Sequence, residues 1–303
     1  MKPKEISKSI SERIFDSFNI LFLLILCAVI IFPYIHVLMV SLNDNATSTV
    51  TGLMLWPSAF TLVNYQTLFG NDSIMRALFI TVSRIVLVLI YQISLNFMAA
   101  YALTRKDLPY KKTIVMFFFI PFFISSGLIP RFILYSSLGL LNNFMVYVLP
   151  AGFIFYYFIL LRTYLGTIPD SLEESARMDG AGEFKIMTRI YLPLCKPMIA
   201  TLALLITVET WNNWTDNLYF MTHDRLNTIS YELYRVLMER ARLQALIQEA
   251  IRQGQVTLAG MGATTTQGVR NAQIIVVSLP IIMIYPFLQR YFIKGLMIGG
   301  VKE

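Results

Sequence analysis

Six stretches of the chain, at 18–40, 77–103, 113–130, 144–161, 198–220 and 272–292, are apolar for roughly the twenty residues that a helix needs to cross a bilayer core. Inside lipid every backbone N–H and C=O must be satisfied within the protein, so segments of this length span as helices. The pattern predicts an all-α polytopic membrane protein of six transmembrane helices, in one domain over 1–303. The first run is too long for a signal-peptide core and has no small-residue cleavage site, so it reads as a retained helix. Pro121 is expected to kink the third. Only 14% of residues are charged and 56% are hydrophobic, against about 25% charged in soluble domains. The net charge of +7 does not mark a nucleic-acid binder, because the charges lie between apolar runs and not on an aromatic-laced surface.

Lysine placement orients the spans. With the N-terminus in the cytoplasm, Lys2, Lys4, Lys8, Lys106, Lys111, Lys112, Lys185, Lys196, Lys294 and Lys302 all fall on the cytoplasmic side, as does the C-terminus. Arg76 and Arg131 fall outside as isolated charges at span ends. The loop at 221–271 is then extracellular and carries several arginines, but long loops count little in this rule. Within it 226–253 has helical composition. Ile229, Leu233, Val236, Arg240, Leu243 and Ile247 follow one another by three or four, on one helix face. This element reads either as a docking site for an outer partner or as a solvated loop with an incidental helix. The first outer loop, with W-P-S-A-F-T-L-V-N-Y, reads as a turn followed by an interfacial segment.

Between the fourth and fifth runs lies a polar, patterned loop, 164–197. Ser171 and Glu174 have capping-box spacing, and Glu173 and Glu174 suit the positive end of a helix dipole. Gly180 suits the position just past a short helix, where φ is positive. A second helix fits 183–191, with Phe184, Met187 and Tyr191 on one face, and Pro193 is expected to stop it. Read as a whole, the loop gives E-S-A, three residues, Gly180, nine residues, Ile190, one residue, Leu192-Pro193. This resembles the EAA loop of membrane subunits of ABC importers, with Ser175 in place of the middle alanine. Asp179-Gly180-Ala181 resembles the D-G-A of sugar importers. The resemblance implies a cytoplasmic coupling element that docks on an ATPase, with Glu174, Ser175, Ala176, Asp179, Gly180, Ala181, Phe184, Met187, Ile190, Leu192 and Pro193 at its matching or docking positions. An ordinary capped helical hairpin explains each residue singly but not the full spacing.

Two ionisable residues sit inside apolar runs, Arg84 in the second and Glu209 in the fifth. Such groups are costly in lipid and mark pathways or pairs; these two either pair with each other or line a polar path. T-W-N-N-W-T-D-N follows Glu209. Trp211 and Trp214 offer ring faces and Asn212, Asn213 and Asp216 offer hydrogen bonds, a combination that suits sugars. The same tryptophans also suit an interfacial aromatic belt. No P-loop occurs, so no nucleotide site of that kind is expected in the chain. His36 and His223 have no metal-ligand spacing and no nucleophile beside them, and Cys27 and Cys195 are not expected to pair. Neither catalytic residues nor metal ligands are expected.

The resemblance extends over nearly all of the chain. S-G-L-I-P-R-F-I-L-Y-S-S-L-G-L-L-N-N, W-N-N-W-x-D and Y-F-I-K-G-L-M-I-G-G-V-K-E are similar to segments of maltose-type carbohydrate permeases, above all those of Lpl-type and alginate-type oligosaccharide importers. It implies the type I ABC importer permease fold in a bacterial cytoplasmic membrane, and a heterodimer with a second homologous permease. It also implies two copies of an ATPase that hold the ATP and Mg, an extracellular solute-binding lipoprotein, and an oligosaccharide substrate. Residues 295–303 are expected to reach the ATPase dimer. A permease for another solute, and a membrane enzyme or passive channel, are the alternatives.

Overall fold

The computed structural model describes residues 9–44, 52–105, 107–124, 126–252 and 263–297. It divides into two compact units, residues 1–70 with 243–276, and residues 71–242 with 277–303. Each is taken by itself.

In the first unit, α1 (Ile10–Ser41) exposes an unbroken apolar surface through Phe18, Leu21, Phe22, Ile25 and Val29. Such a surface is stable only where lipid or another apolar chain covers it. The Ser9 N–H donates to the Glu12 carboxylate at 2.9 Å, closing the helix start. The W-P-S-A-F-T segment folds back on the other end of α1 through polar bonds. Asn64, in α2 (Val63–Phe69), donates to the Ser41 and Asn43 carbonyls at 2.9 and 3.0 Å. Asn43 Oδ1 accepts from Ala59 N–H at 3.1 Å, and His36 Nδ1 accepts from Met54 N–H at 3.0 Å. These bonds make the segment a tethered turn, as its sequence suggests.

The second unit is built on α3 (Asp72–Thr104). Asn71 caps it, its side chain accepting from Ser73 N–H. Its buried positions recur every three to four residues, and several are polar: Thr81, Arg84, Gln92 and Asn96. Then come α4 (Lys111–Phe122), α5 (Leu128–Ser137), two turns of 3₁₀ helix (Phe144–Tyr147 and Leu149–Ala151) and α6 (Phe155–Leu165). The core packs Val88, Phe97 and Tyr101 of α3 with Phe158, Leu161 and Leu165 of α6, and with Leu202 and Ile206 of α10 (Lys196–Asn212).

Among the described residues three helices are long and apolar enough to cross a membrane: Ile10–Ser41, Asp72–Thr104 and Gln267–Ile284 within α13 (Ala263–Met297). Two bent pairs bring the total to five, one bent by 44° near residue 153 and one by 75° at Cys195. The third expected span is not one helix. Pro121 has no N–H to donate, α4 ends at the next residue, and Phe123 and Ile124 N–H turn back to the Ile120 and Pro121 carbonyls. The chain restarts at α5 after Gly127, at φ +73°.

The fourth span is broken as well. Asn96 of α3, 1% exposed, bridges the break: its Nδ2 donates to the Gly152 carbonyl at 3.1 Å and its Oδ1 accepts from Ile154 N–H at 3.4 Å. A helix interrupted inside lipid needs such partners. The fifth stops at Asn213 and resumes as α11 (Thr215–Phe220). Asn213 Oδ1 accepts from Asp216 N–H and the Thr215 hydroxyl, both at 3.2 Å, a local bond that competes with helix continuation.

The helix expected in 226–253 is α12 (Ile229–Arg252). Ile229 is fully buried, and Leu233 and Val236 are half-buried. The side chains of Arg240, Leu243 and Ile247, and residues 253–262 and 298–303, lie outside what the structure describes, so the expectation for the tail does too.

Candidate functional site

A cavity of about 190 Å³ opens among the broken helices of the second unit. Arg84, Val88 and Gln92 of α3 form one wall, and Arg131 and Tyr135 of α5 another. Tyr147 and Pro150 of the 3₁₀ turns, with Glu209 and Thr210 of α10 and the following Asn213 and Asp216, complete it. Arg84 is 3% exposed. It donates to Asp216 at 2.5 Å and to the Asn213 carbonyl at 3.3 Å, and lies 4.6 Å over the Tyr147 ring. Its Nε is buried with no partner. Glu209 accepts from the Tyr157 hydroxyl at 2.7 Å.

Arg84 and Glu209 therefore line one cavity from different helices, and each bonds a partner other than the other. The break at Asn213 sets Asp216 against the guanidinium, and Tyr157 of α6 reaches Glu209 first. Of the aromatic segment Thr210, Asn213 and Asp216 line the cavity, and Trp211, Asn212 and Trp214 do not. Trp211, 5% exposed, is packed inside with its Nε1–H on the Val277 carbonyl at 3.0 Å. Trp214 stacks on Tyr234 at 4.0 Å, and Asn212 is exposed. Arg131, Gln92, Tyr135 and Tyr157 escaped the sequence reading as wall or support residues. Arg131 was visible as a charge at a span end, but the break after α4 that brings α5 to the cavity was not.

The patterned loop folds as α7 (Asp170–Met178), α8 (Glu183–Ile186), one π turn (Met187–Tyr191) and α9 (Leu192–Leu194). Gly180 sits at φ +72°. Its N–H bonds the Arg177 carbonyl at 3.0 Å and Ala181 N–H bonds the Ala176 carbonyl at 2.9 Å. This is a Schellman end, and Ala176 and Ala181 are the pair of small residues that pack inward beside it.

The capping box is not formed. The helix begins at Asp170, so Ser171 is already inside it, and Pro169 is the cap. Pro193 does not stop the second helix either. The wider π turn before it makes room for the ring, and the break falls at Cys195. The same turn shifts the helical period, so Phe184, Met187 and Tyr191 do not share an outward face. Phe184 is exposed, Met187 half-buried and Tyr191 buried. Of the other loop positions, Glu174, Ser175, Asp179, Leu192 and Pro193 are exposed and Ile190 is half-buried. The exposed large apolar side chains are Leu172, Met178, Phe184, Leu192 and Leu194.

Burial works against the charge on Glu173. Bonds from the Tyr191 hydroxyl and the Arg105 guanidinium, with Arg177 nearby, outweigh it and hold the carboxyl below the ordinary glutamate range.

Residues 92–298 match the family described as "Binding-protein-dependent transport system inner membrane component". The chain belongs to this family. It is 31% identical over 292 residues to the "Polygalacturonan/rhamnogalacturonan transport system permease protein YtcP" of Bacillus subtilis (strain 168), covering 96% of this chain and 99% of that one. It is 30% identical over 290 residues to "Protein LplC" of the same organism, covering 96% and 95%. Its fold matches a chain of "a bacterial ABC transporter involved in the import of the acidic polysaccharide alginate", with a TM-score of 0.82 over 95% of this chain and 99% of that one, at 24% identity. The protein is thus a transmembrane permease component with the type I permease fold, a transport subunit.

Proposed function

We propose that this permease is one of two homologous membrane subunits of an importer for oligosaccharides. It receives substrate from an extracellular solute-binding protein, and two copies of a separate ATPase, which carry the ATP and Mg, drive it through the loop at 164–197. The cavity carries the reading: a polar chamber lined by charged, amide and tyrosine groups, formed where helices are interrupted. Sugars need many hydrogen bonds and few fully apolar walls. Its 190 Å³ is below the roughly 300 Å³ of the smaller ligand pockets, which supports a second permease contributing the rest. The name of the polygalacturonan relative supports sugar cargo. The Schellman end of α7, with Leu172, Met178 and Phe184 exposed beside it, supports the loop as the surface the ATPase grips.

The test is uptake by the reconstituted transporter with oligogalacturonides, alginate oligosaccharides, maltodextrins and an amino-acid control. Saturable ATP-dependent uptake of one glycan class is expected, and uptake of none refutes the cargo. For the loop, Gly180→Val forces a branched side chain into positive φ, and Glu174→Lys reverses an exposed charge. Both are expected to leave the chain inserted and to abolish ATPase stimulation by loaded binding protein. Normal stimulation and uptake in both would remove the loop from the coupling role.

A further inference from the structure

We propose that Arg105 is a positioning residue for transport, binding the coupling helices α7 and α8 to the end of α3 so that the three move as one body. The inference rests on the loop reading given above.

Arg105 follows the last residue of α3. Its guanidinium bonds Glu173 of α7 and lies 3.5 Å from Glu183 of α8. It also lies over two rings, at 4.4 Å from the centre of Tyr101 and 5.4 Å from that of Tyr191. Those tyrosines donate to the same two carboxylates: Tyr191 to Glu173 and Tyr101 to Glu183, each at 2.8 Å. The rings meet edge to face at 5.2 Å. Arg177 closes the circuit on the outer side, bonding Glu173 at 3.1 Å and also Glu183.

An isolated exposed ion pair is worth little. This one differs in two ways. The Arg105 and Glu173 side chains are only 14% and 17% exposed, and every charge has at least two partners. The plane of a guanidinium is what allows simultaneous ring stacking and carboxylate bonding, which an ammonium cannot reproduce.

The cluster's position gives it a role beyond holding the loop. α3 runs 33 residues without interruption. Arg84, Val88 and Gln92 of the cavity wall are on the same helix, Arg84 roughly 31 Å from Arg105 at about 1.5 Å per residue. α10 also joins the loop to the cavity, but across the 75° bend at Cys195. α3 is the uninterrupted connection. A packed junction at its end shifts as a block and does not deform gradually, so displacement of α7 is delivered to the cavity wall.

The experiment uses the complete transporter with Val88→Cys as a reporter, since Val88 lines the cavity and is 1% exposed. Labelling by a water-soluble maleimide is timed with and without ATP, so no substrate is needed. With Arg105 intact, ATP is expected to change the labelling rate by about tenfold, within the usual range of coupling between sites. Arg105→Met is expected to retain the ATPase and the nucleotide-free rate but to lose most of the ATP-dependent change. The exchange Arg105→Glu with Glu173→Arg is expected to recover part of it. A full ATP-dependent change in Arg105→Met, or no recovery in the exchange, overturns the proposal. If Arg105→Met does not assemble, Arg105→Lys decides on the same criterion, since it keeps the charge but not the planar fork. Failure of the loop reading shows differently, as a full ATP response in Gly180→Val whatever Arg105 does.

Discussion

Replacing Asn96 by leucine removes a side chain of similar size whose polar atoms serve the interrupted fourth span. Its Nδ2 bonds the Gln92 and Gly152 carbonyls at 2.7 and 3.1 Å, and its Oδ1 accepts from Ile154 N–H at 3.4 Å. The Gln92 carbonyl is an ordinary helical acceptor and loses little. Gly152 is buried, and its carbonyl and the Ile154 N–H lie at a break, where no next turn takes them over. Hydrogen bonds between membrane helices average only about 0.6 kcal/mol, because separated side chains find other partners. A backbone group fixed at a break has no such freedom, and a stranded buried group costs about 1–3 kcal/mol. Counting the Gly152 bond fully and the long Ile154 bond partly gives a loss of about 2–4 kcal/mol. Unfolding of the purified chain in mixed micelles, titrated with SDS, reads this directly. A leucine variant within about 0.5 kcal/mol of the parent, the range of an inconsequential surface change, would refute the argument.

At the cavity, Arg84 is 4% and Asp216 24% exposed in their side chains, so Asp216→Leu strands the deeper charge and should cost more than Arg84→Met; the double variant should unfold later than Asp216→Leu alone, and additive losses would count against the pair. At the loop, the carboxyl of Glu173 titrates below its ordinary 4.5 in the folded chain. Its contribution is therefore complete above that value and disappears as pH falls through the lower folded value. The stability gap between parent and Glu173→Gln should be constant from pH 7 to about 5 and close on further acidification; a gap that widens in acid would reverse the sign.

What the sequence disclosed was whatever depends on neighbouring residues. Gly180 was legible because a Schellman end needs a positive φ a fixed distance after Ala176, and the spacing carries that requirement. The membrane class was legible from run length alone. The breaks were not. Pro121 was visible, but a kink and an interruption share one signature; the structure shows an interruption, with α4 ended at Phe122 and the chain restarting after Gly127 at positive φ. Arg84 stood out as an ionisable group within a span, yet its partner Asp216 was not foreseen, because Asn213 ends α10 and turns Asp216 back towards the cavity. Tyr191 was placed on an outer face by assuming one helical period through a turn that the structure widens. The Arg105 cluster draws on residues 101 to 191, a separation over which spacing holds no information.

The continuity of α3 sets a phase as well as a distance. Each residue turns a helix by about 100°, so the direction in which Arg84 points is locked to the direction in which Arg105 points. Exchanging side chains between them leaves that angle untouched. Inserting or deleting one residue would rotate the cavity wall by more than a quarter turn against the loop, with every individual contact chemically intact. The length of this segment is therefore under a constraint that its composition is not, and variation along it should be rich in substitutions and poor in gaps.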